Sequence, residues 1–410
     1  FLLSRLDLRD KATGEHRLDL AKLSPIGVAV DTFELGPPGA RLEPGKVNIG
    51  AKVHMDRLAF SIDDGPMVEF KTIQATAEPN DALDAVDFRF VATRVGETGE
   101  TASNEPGDGA LSADGTALIR EDGTVAISME ASGDMPTLVV DAFARAGGAA
   151  YDLLGPTTTL DLRTNGLTRT SGSAMLDVLS DHVQGSIRGD VRGGVFHADD
   201  GARVTISRIT EDFSSRYVET ILPFLTRFEK TRTDEPSVFT ADGLTIPLGD
   251  SIAELNGNVR VDLGTVRFRT SSLIGDILKA TNNREQGRLG GRVEPFDVRI
   301  DGGVISYDRT PIPTGNYVME TRGTIDLVKS RMEVILYLPL SALSGDLRDA
   351  FAQVPGLETV GKAPIRIKGP IDTPKVEPAL DLIVEEGVPE TIDRVLDGLL
   401  KKGLDDLLKE

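Results

Sequence analysis

The chain has 410 residues, 40% of them hydrophobic and only 5% aromatic, with no Trp and no Cys. A formal net charge of −20 repels the phosphates of nucleic acid and of anionic membranes, so broad electrostatic adhesion to either is excluded. Without cysteine there is no disulfide framework and no thiolate metal site. An apolar content drawn from Val, Leu, Ile and Ala suits sheet faces and aliphatic ligands better than base-stacking platforms.

Residues 1–95 read as an N-terminal β segment. Val86, Phe88, Phe90 and Ala92 alternate with Asp87, Arg89 and Val91, the period-two pattern of a strand with one apolar and one solvated face. The chain starts at Phe1 rather than Met, so a signal or anchor is expected upstream. Residues 96–109, rich in Gly, Thr, Glu and Ser, read as a flexible loop and a subdomain boundary.

Residues 110–235 read as a second β segment carrying helices. Val125, Ile127 and Met129 alternate with small or polar residues, and Leu160 and Leu162 flank Asp161. A helix is predicted from Pro136 to Leu154, bracketed by Pro136 and by Gly155-Pro156. Thr210 is a candidate N-cap for another, with an apolar stripe of Phe213, Tyr217, Ile221, Leu225 and Phe228 and a kink near Pro223.

Residues 236–387 return to strands. Val259, Val261 and Leu263 alternate with Arg260 and Asp262, and Val266 and Phe268 with Arg267 and Arg269. A weak repeat joins Asp242-Gly243, Ile246-Pro247 and Gly257 to Gly302-Gly303, Ile312-Pro313 and Gly323, which favours stacked units. Further helices are predicted over 272–280 and 340–354. Residues 388–410 form an amphipathic helix whose stripe includes Ile392, Leu396, Leu399, Leu400 and Leu407. Its polar face mixes acids and lysines, which suits a cap on the sheet better than a membrane-surface helix. No run of 18 apolar residues occurs.

Asp-Gly or Asn-Gly pairs stand at Asp64-Gly65, Asp114-Gly115, Asp122-Gly123, Asn165-Gly166, Asp200-Gly201, Asp242-Gly243, Asn256-Gly257 and Asp301-Gly302. Each supplies the positive φ of a tight hairpin turn, so an antiparallel meander is predicted. Motifs for nucleophilic, phosphate-cradling or zinc chemistry are missing, and His16, His54, His182 and His197 are scattered. The paired acids Asp63-Asp64 and Asp199-Asp200 sit beside glycines, as turns require. The expectation is a non-enzyme with no cofactor and no metal.

The stretch 296–378 alternates strands with glycine turns and ends in Gly369, Asp372, Pro374 and Pro378, a strand followed by D-x-P-x-x-x-P. With Asp301–Tyr307 and Gly323–Met332, this pattern resembles the C-terminal part of AsmA-like proteins, the bacterial envelope family that includes TamB. The resemblance covers roughly the last 180 residues. It implies a long, twisted antiparallel sheet curled into a groove, with short helices at its edge, whose apolar floor shields phospholipid acyl chains. It further implies a periplasmic setting, an inner-membrane anchor upstream, and room for an outer-membrane or periplasmic protein partner.

The residues alone also allow a closed β-sandwich core. A pattern that continues with few breaks favours the groove, because sheets beyond about ten strands curl. The expected fold is therefore mainly β, an elongated curled sheet with a few helices. The groove-lining candidates are Val259, Val261, Leu263, Val266, Phe268, Val298, Ile300, Ile325, Leu327, Val334, Leu336 and Leu338. The expected role is lipid binding and transfer between membranes. The alternative is an assembly factor for outer-membrane biogenesis acting through exposed sheet edges.

Overall fold

The computed structural model describes residues 18–34, 48–62, 68–80, 84–94, 110–120, 122–144, 148–210, 213–214, 228–230, 235–249, 251–268, 289–314, 317–343, 361–371, 373–379 and 381–382. Among these the chain is mainly β, and it divides into two compact units. The first comprises Phe1–Val204 and Thr245–Asp250, the second Thr205–Leu244 and Ser251–Glu410.

In the first unit β1 (Leu18–Leu23) and β2 (Ile26–Glu34) lie end to end along β3 (Asn48–Ile62). Ser24 marks the break between them: its hydroxyl donates to the Arg57 carbonyl and accepts the Arg57 N–H. The meander continues through β4 (Val68–Pro79), β5 (Ala85–Arg94), β6 (Ala110–Ile119), β7 (Val125–Pro136), β8 (Thr157–Leu167), β9 (Ser171–Ser180) and β10 (Val183–Arg192). Each strand pairs antiparallel with the next. Beyond β10, β11 (Val195–Ala198) pairs with it and with residues 245–247, the end of β14 (Ser237–Pro247); β12 is Ala202–Ile206. The stretch 96–109, expected to be a boundary, lies outside the described residues, but β5 and β6 on either side of it are direct partners.

Among the described residues the second unit has two sheets. Its larger one runs β15 (Asn256–Asp262), β18 (Phe296–Asp301), β19 (Val304–Thr314), β20 (Tyr317–Asp326), β21 (Arg331–Pro339), β22 (Lys362–Pro370) and β23 (Lys375–Pro378), all antiparallel. The smaller joins β13 (Phe228–Glu229), β16 (Gly264–Phe268) and β17 (Leu289–Val293).

Not every glycine pair makes a turn. Gly123, Gly201 and Gly302 do sit in tight turns with positive φ. Asp114-Gly115, Asn165-Gly166, Asp242-Gly243 and Asn256-Gly257 instead lie inside strands, and Asp64-Gly65 falls outside the described residues. The reason at Gly115 is space: a Cβ there would stand 2.8 Å from the Phe88 ring and 2.5 Å from the Ser128 carbonyl. At Gly166 it is a φ of 56° beside the register shift between β7 and β8, a bulge rather than a hairpin.

The helix predicted over 136–154 is present as α1 (Thr137–Ala144) and α2 (Ala149–Leu154). Buried Asp141 on α1 accepts the backbone N–H groups of Gly148 at 2.7 Å and Ala150 at 2.8 Å, tying the start of α2 to α1. Thr210 caps as expected, its hydroxyl accepting the Phe213 N–H at 3.1 Å; Phe228, the last residue of that stripe, stands instead in β13, paired with Phe268, and Tyr217, Ile221 and Leu225 lie outside the described residues. So do the helices predicted at 272–280 and 388–410. Of 340–354, Leu340–Ala342 is a 3-10 turn, and the residues from 344 on are outside.

Two local features carry stability. Lys230 is fully buried in the second unit, and its ammonium donates to the carbonyls of Leu263 at 2.8 Å and Thr265 at 3.3 Å. Ser237 reaches the same Leu263 carbonyl, so the turn from β15 to β16 hangs on these two side chains. Beside it, the Thr265 hydroxyl, then Arg292 and Lys230, hold the Glu235 carboxyl below the usual carboxylate range. Lys230→Met leaves the Leu263 carbonyl with Ser237 alone, removes the contact to Thr265, and is expected to destabilise by about 2 kcal/mol, read as a lower urea midpoint. At the register shift in β4, exposed Thr72 has φ 54°, which a β-branched residue resists. Thr72→Gly is expected to raise stability by about 1 kcal/mol in the same measurement.

Candidate functional site: an apolar sheet face

The predicted groove residues gather in the second unit. Val259, Val298, Tyr307, Gly323, Val334, Ile367 and Val376 stand in one cross-strand row, and Gly257, Ile300, Ile305, Ile325, Met332 and Gly369 in the next. Leu336 and Leu338 extend the same face of β21, opposite Ile365 and Ala363 of β22. Val261 ends the face on β15 opposite Phe296. Leu263 lies just past β15, and Leu327 just past β20. Val266 and Phe268 are not in this sheet; they belong to β16 of the smaller one.

These side chains do not form an open floor. Val261, Leu263, Val266, Val298, Ile325, Val334, Leu336 and Leu338 are all buried, the last three and Ile325 completely. Val259, Ile300 and Leu327 are half-buried, and the Phe268 side chain is outside the described residues. Tyr307, in the same row, shares a hydrogen bond with Thr321, and burial pushes its phenol well above the ordinary tyrosine range. β21 is buried on both faces: Ile335 and Tyr337 on its other side pack with Ala379 and Leu382, and the Arg309 guanidinium lies 4.1 Å from the centre of the Tyr337 ring. This is a core, read from the sequence as a surface.

The first unit differs. There the register lines up Val28, Val53, Ala75, Phe90, Ala113, Ala131, Leu162, Leu176 and Ile187, one residue from each strand from β2 to β10. The neighbouring row is Val30, Ala51, Ala77, Phe88, Gly115, Met129, Thr164, Ala174 and Gly189. No residue of the first row is buried: eight are half-buried and Val28 is exposed. The residues one position along each strand make up the opposite face, which carries Lys52, Thr76, Arg89, Asp114, Glu130, Arg163, Met175 and Arg188.

That polar face has an open depression of about 640 Å³ bordered by Asp114, Glu130, Arg163, Arg188 and Asp190. Its charges are of both signs, and Arg163 is paired with Asp161 and Arg192 with Asp190, so it selects no single charge type. On the apolar face, among the described residues, Phe70 and Ala92 pack in a small cluster with Ile73 and Phe90.

Sequence reasoning identified the strands holding Phe88, Phe90, Ile127, Met129, Leu160 and Leu162 but not their alignment. The alternation within each strand was the available signal; register across strands was not. Among the described residues no group of three or more His, Asp or Glu is placed to hold a metal ion, and no helix is long and apolar enough to cross a membrane. Searches against family models, curated proteins and solved structures find no match.

Proposed function

We propose that this chain binds the acyl chains of phospholipids along the apolar face of its first unit, as a non-enzymatic lipid-handling protein of the bacterial envelope. The observation that carries the reading is the row from Val28 to Ile187: nine strands, an unbroken line of aliphatic, alanine and phenylalanine side chains, none buried. Water contact along such a line is unfavourable, and each acyl CH₂ laid on it gains about 0.8 kcal/mol. Affinity then comes from length rather than from one residue, and a chain can slide without breaking a directional bond.

The AsmA-like pattern of 296–378 supports the same reading and adds its setting: a periplasmic chain, anchored in the inner membrane from upstream, moving lipid toward the outer membrane. The opposite face, with Arg89, Asp114, Glu130, Arg163 and Arg188, keeps the sheet in water. The test is to purify the chain without detergent, extract it, and identify bound lipid by mass spectrometry. Stoichiometric phospholipid is expected; a well-folded, lipid-free protein overturns the reading.

A further inference from the structure

We propose that β2 is a self-association edge, through which two copies of this chain pair antiparallel over Ile26–Val30 about a two-fold axis at Val28. Among the described residues β2 is hydrogen-bonded on one side only, by β3. Its other side offers backbone N–H and C=O groups to any extended chain.

Sheet edges are normally blunted by shortness, proline or charge. β23, the last strand of the second unit, shows all of these devices: four residues, led by Pro374 and Lys375 and closed by Pro378. Ile26–Val30 shows none. It carries no charge, and Ile26, Val28 and Val30 are 46%, 61% and 54% exposed. Pro25 on one side and the register shift between Val30 and Thr32 on the other define its length.

The occupant is a second copy because the segment is complementary to itself. With Val28 of one copy facing Val28 of the other, Ile26 faces Val30 and Gly27 faces Ala29, so apolar meets apolar on one face and small meets small on the other. No like charges are opposed within the pairing. The contact is isologous and therefore closes as a dimer instead of growing into a fibre. It also continues the row that ends at Val28 into the same row of the second copy. The pairing does not rest on the lipid reading; either can fail alone.

The net charge of −20 on each copy opposes association, so the dimer tightens as ionic strength rises. Sedimentation equilibrium over a range of concentrations, at low and high salt, is the experiment. Wild type is expected to show a dimer that grows with both. Val28→Lys and Val28→Glu, each alone, put like charges directly opposite and are expected to weaken association at least about tenfold. Mixing the two variants in equal amounts restores the dimer, since lysine then faces glutamate. That recovery also shows that both variants are folded. A wild type that stays monomeric at every concentration, a variant that dimerises like wild type, or a mixture that gains nothing overturns the proposal.

Discussion

Leu176→Asp is expected to strip phospholipid from the protein while leaving it folded. Leu176 is the eighth of the nine residues in the apolar row, between Leu162 on β8 and Ile187 on β10, and is only half-buried. Its carboxylate can therefore reach water, and the cost to folding stays near that of an ordinary surface change. For an acyl chain the cost is larger. A charge on the floor removes contact with about three methylenes, roughly 2–3 kcal/mol, or about 50-fold in affinity. Lipid mass spectrometry of the variant reads the loss, and circular dichroism reads the fold. Met175→Asp is the matched control, one residue along β9 and on the opposite face; it should keep its lipid. Equal loss from both would place the lipid elsewhere, and no loss from either would remove the row from the site.

Val334→Asp has the opposite outcome: it is expected to unfold the second unit. Val334 is fully buried, lies between Gly323 and Ile367 in the sheet, and has Tyr307 and Met332 as buried neighbours in its rows and strand. A carboxylate placed at this fully buried position is cut off from water, which costs more than about 4 kcal/mol. Set against a domain stability of about 5–15 kcal/mol, that removes much or all of the margin. Limited proteolysis with mapping of the cut sites tests it. New cuts should concentrate in 251–379 while the strands of 48–198 stay protected, because the row and strand neighbours of Val334 all belong to the second unit. Protection of the second unit in the variant would mean that Val334 faces a wet groove after all, and the residues first singled out in the larger sheet would regain their place as a lipid floor.

The contrast between these two valine- and leucine-rich faces explains how far the sequence could be read. Alternation at Val259–Val261 and at Val86–Phe90 is the same pattern, and it correctly yields strands in both places. Whether the apolar side of such a strand is a core or a surface depends on what lies across it, and alternation is silent on that. The Asp-Gly pairs show the same limit from the side of the backbone. Gly123 and Gly302 end strands, whereas Gly115 is inside one because the Phe88 ring needs its space. Glycine marks a place where a side chain is not tolerated; only the neighbours say why.

By itself the sequence determined the mainly β character, the antiparallel meander, the cap at Thr210 and the helical stretch that follows β7, because each rests on interactions within a few residues of chain. Tertiary structure alone decided the rest. Strand register assembles Val28 through Ile187 into one continuous row from nine separate segments, and a change of one residue in any pairing would turn that strand's apolar side to the other face. Burial decided that the residues around Val334 are a core while those around Leu176 meet solvent. Both are properties of contacts between residues far apart in the chain, which no local pattern encodes.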